Sequence, residues 1–421
     1  MLQVKGLILI LFLIFLSFSL CCIEEDSDLE ISTPAETAIE TPVATPQLTP
    51  TPSLNLTAIV DKVEEVRGLN LIADIPQREI SREELEERYN TTEKASDDPD
   101  DILLKALFMV EWDDDLDRVE ASYKSSTVMA YYDIENKEMV IVSGYEAELE
   151  KIYAHEYTHV LQDQHFNLTE ILNQSTFDGR MARDALVEGD ALLTCDLYQG
   201  KTPSGLAMGV SKVYEDVTRR TLEAFRTFSH TRGKFFVTQL YNEGGGWELV
   251  NEAYRNPPRT TEMIMHPDKY TKGEEGVNMS APDLLLDGWN MTINDTMGEL
   301  FIRTMLADHI KSSNASTSAS GWGGDRLVLY QNETDYLFCF NISWDSPMDA
   351  DEFLEGYREL MRSVNGTKIV DENDSVEWVV DENEWVLLLE INDSLNRTVL
   401  AGSSNPGVLN ERMEVLVNGA C

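Results

Sequence analysis

Half of the six histidines in this 421-residue chain fall in one stretch, KIYAHEYTHVLQDQHF, from Lys151 to Phe166. His155 and His159 are four apart, so on a helix they share a face one turn apart. Two imidazoles at that spacing can grip one zinc ion from one side. Glu156, about a quarter-turn away, reaches a water on the metal without becoming a ligand. Zinc would acidify that water and the glutamate would take its proton, which is hydrolytic chemistry. The competing reading is a surface helix with solvated histidines. Ile152, Val160 and Phe166 weigh against it, because these flanks belong to a helix that faces a core.

A catalytic zinc needs a third protein ligand and an open position. His165 lies six residues beyond His159, on a different part of the helix, and is a poor ligand. The better source is DGRMARDALVEGDALLTCDLY, where Glu188 sits in a helix otherwise filled with Ala, Leu and Val. A carboxylate on an apolar helix is costly unless paired, and a metal ion would be such a partner. Asp190 competes for the role, and either Asp184 or Asp190 is expected to hold the free N–H of a ligand histidine. The plain alternative is an ion pair of Glu188 with Arg180 or Arg183. Further on, YRNPPRTTEMIMHPDKY carries Arg259, His266 and Tyr270 in a Pro-flanked segment. His266 and Tyr270 are candidate donors to the oxyanion of a tetrahedral intermediate. GWGGDR, Gly321 to Arg326, reads as a turn into a strand with an Asp325–Arg326 contact.

These residues resemble a gluzincin, the zinc metallopeptidase class with two histidines and a glutamate as ligands. More narrowly, HEYTHVLQDQHF, ARDALVEGDALL, YRNPPRTTEMIMHPDKY and GWGGDRLVLY resemble a family of mostly uncharacterised prokaryotic secreted or lipid-anchored proteins, over about Leu103 to Tyr357. The resemblance implies His155, His159 and Glu188 as zinc ligands, Glu156 as general base, and a peptide or protein substrate.

Such a site must be held by regular elements. Helical spacing runs from Leu54 to Val66. SREELEERY opens with a Ser81–Glu84 capping box, and Pro99 starts a third helix. Ser126 to Ser143 reads as two strands around a turn near Glu135 and Asn136. The histidine helix follows from about Glu146, and further helices are expected at Phe177–Tyr198, Val210–Arg232 and Phe235–Tyr241. From Asp325 the pattern becomes hairpin, helix from Pro347, second hairpin, and a last helix near Pro406–Val417. The expectation is an α+β chain. A mainly helical zincin-like domain at 55–320, with an edge-strand hairpin before its active-site helix, precedes a smaller α+β lobe at 321–421.

The first 22 residues read as a secretory or lipoprotein signal, or else an N-terminal anchor: Lys5 precedes an apolar run from Gly6 to Leu20 that ends at Cys21 and Cys22. Residues 23–54 form an acidic Thr/Pro-rich linker. Asn-x-Ser/Thr sequons recur, among them Asn167, Asn294, Asn341 and Asn396, as on a glycosylated, archaeal cell-surface protein. A net charge of −43 excludes a nucleic-acid partner. Beyond the N-terminal pair only Cys195, Cys339 and Cys421 remain, and Cys339 with Cys421 is the expected pairing if a disulfide forms. The sequence specifies no oligomeric state.

Overall fold

The computed structural model describes residues 55–89, 98–144, 149–205, 216–281, 287–372, 375–380, 384–391 and 396–411. The expected signal or anchor, the cysteine junction, the linker and Cys421 lie outside these residues. In chain order the elements are α1 (Leu56–Arg67), β1 (Gln77–Ile80), α2 (Arg82–Tyr89), α3 (Pro99–Ala106), α4 (Leu116–Thr127), β2 (Ala130–Asp133), β3 (Glu138–Val142), α5 (Leu149–Phe166), α6 (Leu168–Leu172), α7 (Phe177–Tyr198), α8 (Val217–Gly244) and α9 (Glu248–Arg255). They continue with α10 (Thr261–Met265), α11 (Pro267–Lys272), β4 (Asn290–Asp295), α12 (Gly298–Ala307), α13 (Ser312–Ala319), β5 (Trp322–Gln331), β6 (Tyr336–Trp344), α14 (Pro347–Ser363), β7 (Thr367–Glu372), β8 (Ser375–Val380), β9 (Glu384–Ile391) and β10 (Arg397–Ser403). The class is α+β.

Two sheets divide the strands. A small one has the order β1-β3-β2, with β1 parallel to β3 and β2 antiparallel to it. The hairpin turn is drawn tight by Asp133, whose Oδ1 accepts from the backbones of Glu135 and Asn136 at 3.0 and 2.9 Å. The large sheet is antiparallel throughout, in the order β4-β5-β6-β10-β9-β8-β7. The two expected C-terminal hairpins are therefore joined by β10, which pairs with β6 on one side and β9 on the other. All seven residues of β10 are buried, so it lacks the alternation that marks a half-exposed strand.

The expected boundary between 320 and 321 cuts this sheet, because β4 already pairs with β5. One hydrophobic core also runs from Ile59 of α1 through α5, α7 and α12 to Leu400 of β10. The C-terminal part is thus a sheet packed onto the helical part, sharing its core.

The helix pair α7 and α8 forms the centre. Thr176 caps α7, its side chain accepting from Gly179 N. Where two helices were expected around Gly233, one 28-residue helix runs through. The glycine does not break it; it lets α7 approach. A Cβ on Gly233 would lie 2.1 Å from the Ala185 carbonyl oxygen, and one on Gly189 would lie 2.2 Å from Gly233 C. Backbone meets backbone at this crossing. α1 is fastened to the same helix by Arg67, which is fully buried. Its Nε and Nη2 reach Asp190 Oδ1 and Oδ2 at 2.7 and 2.9 Å, and its guanidinium lies 4.2 Å from the Trp247 ring centroid.

Candidate metal centre

α5 and α7 bring His155, His159 and Glu188 together, with donor atoms all within 4.8 Å of one another. His155 Nε2 lies 3.1 Å from His159 Nε2 and 3.2 Å from Glu188 Oε2, and His159 Nε2 lies 3.8 Å from Glu188 Oε1. The two histidines are 0 % exposed and Glu188 2 %. Glu188 pairs with neither arginine: Arg180 goes to Asp295 at 3.3 Å.

The tautomer of His159 follows from its neighbours. Gln162 Nε2 donates to Val187 O at 3.0 Å, so its Oε1 is the acceptor facing His159 Nδ1 at 2.7 Å. His159 therefore carries its proton on Nδ1 and aims a lone pair from Nε2 at the cluster. Burial pushes its pKa down to about 4, which keeps the ring neutral.

The support for His159 is thus Gln162, not the expected aspartate. Asp190 is committed to Arg67 and accepts from Tyr254 OH at 2.8 Å, which also removes it as a competing ligand. Asp184 accepts from Ser229 Oγ, and burial followed by the Glu188 charge raises it to about 7.

Glu156, adjacent to His155 in the chain, is 0 % exposed and feels the Glu188 charge. Its Oε2 accepts from Tyr132 N at 3.0 Å, while its Oε1 accepts no hydrogen bond among the described residues. β2 is an edge strand of the small sheet, and all four of its residues are buried. Met129 O accepts from Val142 N, so residues 129, 131 and 133 turn their main-chain groups to β3. Ala130 and Tyr132 turn theirs away from β3, where Glu156 takes one. Burial, then the Glu188 charge, raises the Glu156 carboxyl well above the usual range. Burial pushes Glu188 the same way, but the histidines around it outweigh burial and hold it well below that range.

The donor set fits a zinc ion: two imidazole nitrogens and one carboxylate, buried, with a bare carboxylate oxygen next to them. A second acidic group, Glu262, Glu274 and Asp345, is occupied differently, since Lys269 Nζ lies 2.6, 2.7 and 2.7 Å from the three.

His230, on α8, joins the centre without any motif to announce it. Its Nδ1 faces Arg226 O at 2.9 Å and its Nε2 lies 3.1 Å from Glu188 Oε2. The only sequence hint was a histidine among Ser and Thr on a long amphipathic helix. His266 and Tyr270 are engaged elsewhere: His266 Nε2 lies 3.0 Å from Glu299, and Tyr270 OH donates to Asn256 O at 2.9 Å. His165 Nε2 bonds Asn70 O at 2.8 Å, away from the cluster.

Three smaller expectations are corrected. Asp325 does not contact Arg326; it accepts from Met297 N, Gly298 N and Trp322 Nε1 and so caps α12. Asn341 is 0 % exposed within β6, where no glycan fits. Cys339 is a buried free thiol.

Residues 289–410 match the model of a domain of unknown function, DUF8575. That span holds the seven-stranded sheet with α12, α13 and α14, and none of the metal-site residues. No curated protein and no solved structure matches the chain.

Proposed function

We propose that this chain is a zinc-dependent metallopeptidase of gluzincin type. In this reading β2, α5 and α7 form a zincin-like core, and the N-terminal segment tethers the chain on the outer side of the membrane. One observation carries the reading: His155, His159 and Glu188 converge, and Glu156, adjacent to His155 in the chain, feels the Glu188 charge and keeps one oxygen without a hydrogen bond among the described residues. A zinc ion held there supplies Lewis acidity toward a carbonyl oxygen and toward water. Glu156 Oε1 accepts a proton from the attacking water and passes it to the leaving amine. Burial and the Glu188 charge raise its pKa, which makes it a stronger base than an exposed carboxylate. Tyr132 N holds the other oxygen and fixes the carboxylate. The remaining main-chain groups of Ala130 and Tyr132 face away from β3 but are buried, so an extended peptide added as a strand requires this edge to open. His230 Nε2 lies 3.1 Å from Glu188 Oε2, the same oxygen that faces His155, and is better placed near the triad's carboxylate than His266 or Tyr270.

The test is a peptide-library digest by the full chain, wild type against Glu156→Gln. The variant should retain zinc and lose hydrolysis by at least about 100-fold. Equal cleavage by both would refute the assignment. The full burial of all four side chains favours a second reading, a structural metal in a non-catalytic surface protein that binds peptides or cell-wall material. That protein would hold zinc and cleave nothing. A zinc hydrolase of non-peptide amides or esters would leave the peptide library intact and cleave simple ester or amide substrates in a separate assay.

A further inference from the structure

A groove of about 530 Å³ runs between α8 and α12, lined by Arg220, Arg232 and Arg303. Thr227, Thr231 and Thr304 lie on the same walls. The chain has 33 Lys and Arg against 76 Asp and Glu, so an arginine normally finds a carboxylate. Arg220 does, with Nε 3.2 Å from Asp308 Oδ1. Glu223, the other acid on the wall, is used by Arg226 at 3.2 Å.

Arg232 and Arg303 form no ion pair among the described residues. Arg303 reaches only the Met265 sulfur, Nη1 to Sδ 3.8 Å. Glu299, an acid whose charge acts on it, is held by His266 at 3.0 Å. Burial, then the charge of Arg232, lowers the Arg303 pKa from its ordinary value. Two like charges sharing a groove without a counterion raise the energy of the fold, and an anion between them removes that cost.

We propose that this groove binds a phosphate group, carried by a small phosphate ester or by the headgroup of an anionic lipid. Guanidinium forks present paired N–H donors that match phosphate oxygens, and threonine hydroxyls add further donors. Phe228, Met265 and Leu300 on the same walls suit the organic part of the ligand. The net charge of −43 repels anions at long range, so recognition comes from this local pair and not from the overall field. The groove shares no residue with the metal centre, and the inference stands whether or not the chain is a peptidase.

The experiment is calorimetric titration of the full chain with glycerol 3-phosphate at fixed ionic strength. Saturable one-to-one binding is expected, weakened at least tenfold in Arg232→Gln and in Arg303→Gln. Arg303→Lys keeps the charge but removes the fork; it should bind less tightly with an unchanged thermal midpoint, which separates lost recognition from lost folding. Arg219→Gln, outside the groove, should bind as wild type. Flotation with phosphatidylglycerol or phosphatidylcholine vesicles distinguishes the sources: a preference for phosphatidylglycerol that disappears in Arg232→Gln identifies the lipid, and its absence leaves the soluble ester. No binding up to about 10 mM ester, or equal affinity in wild type and all three groove variants, overturns the proposal.

Discussion

Glu156 and Glu188 are both buried and the charge of Glu188 acts on Glu156, yet their surroundings drive them in opposite directions. Glu188 faces three imidazoles and stays ionised; Glu156 has one backbone N–H and an unbonded oxygen, and its carboxyl is raised. Such a split separates a ligand from a base. The support of His159 gives a sharp prediction at this scale. Gln162→Met removes the acceptor that fixes the tautomer while keeping the side-chain volume. Zinc affinity should fall by roughly 10- to 100-fold, read by competition with a chromophoric chelator. Affinity equal to wild type would mean that Gln162 is packing alone. The i, i+4 spacing made the histidine pair legible, and an acid stranded on an apolar helix pointed to Glu188. The partners of that site were not legible. Asp190 is claimed by Arg67, which lies far away in the sequence, and His230 arrives on a separate helix. Tertiary pairing of this kind leaves no local periodicity to read.

At the scale of elements, the precision of the site depends on how closely α7 and α8 cross. Gly189 and Gly233 set that distance, and α7 and α8 carry Glu188 and His230. Gly233→Ala should cost at least about 2 kcal/mol by forcing the backbones apart, seen as a lower denaturant midpoint. Zinc affinity should fall with it, because Glu188 moves relative to α5. A variant as stable as wild type would show that the helices have room. Arg67→Ala leaves Asp190 buried without its counterion, and should cost about 3–5 kcal/mol in the same assay. Element type was readable wherever the pattern was strong: α7 runs over Phe177–Tyr198 as the periodicity specifies, and the β2–β3 hairpin turns where Glu135 and Asn136 place it. It failed where burial removed the pattern. β10 is buried along its length, and β1 (QREI) is mostly exposed and polar, recruited only by pairing with β3. The glycine of α8 read as a stop because sequence shows a missing side chain but not the neighbour that requires it.

For the molecule as a whole, acidity is written into the surface and the interior alike. Burial raises Asp325 and Glu262 to about 7 and Asp295 and Asp308 to about 6. A carboxyl raised on folding contributes stability that is complete below its unfolded pKa and is lost as pH rises through the folded value. These four groups therefore stabilise the fold in mild acid and lose that contribution between about pH 5 and pH 8. Glu188 and Asp133 shift downwards and remain ionised at pH 5, so they do not offset the trend, whereas His159 and His309, lowered by burial, offset part of it as pH falls below about 6.5. Lower pH also relieves the self-repulsion of a chain at −43. The thermal midpoint should be higher near pH 5 than near pH 8, by about 1–2 °C for each kcal/mol gained in a chain of this length; a midpoint that climbs with pH would contradict this. The central claim, that His155, His159 and Glu188 together hold a metal, is tested most directly by the zinc content of the purified full chain, wild type against Glu188→Gln. One zinc per wild-type chain and much less in the variant is the predicted result. No zinc in wild type after exposure to the metal, or equal zinc in both proteins, would contradict it.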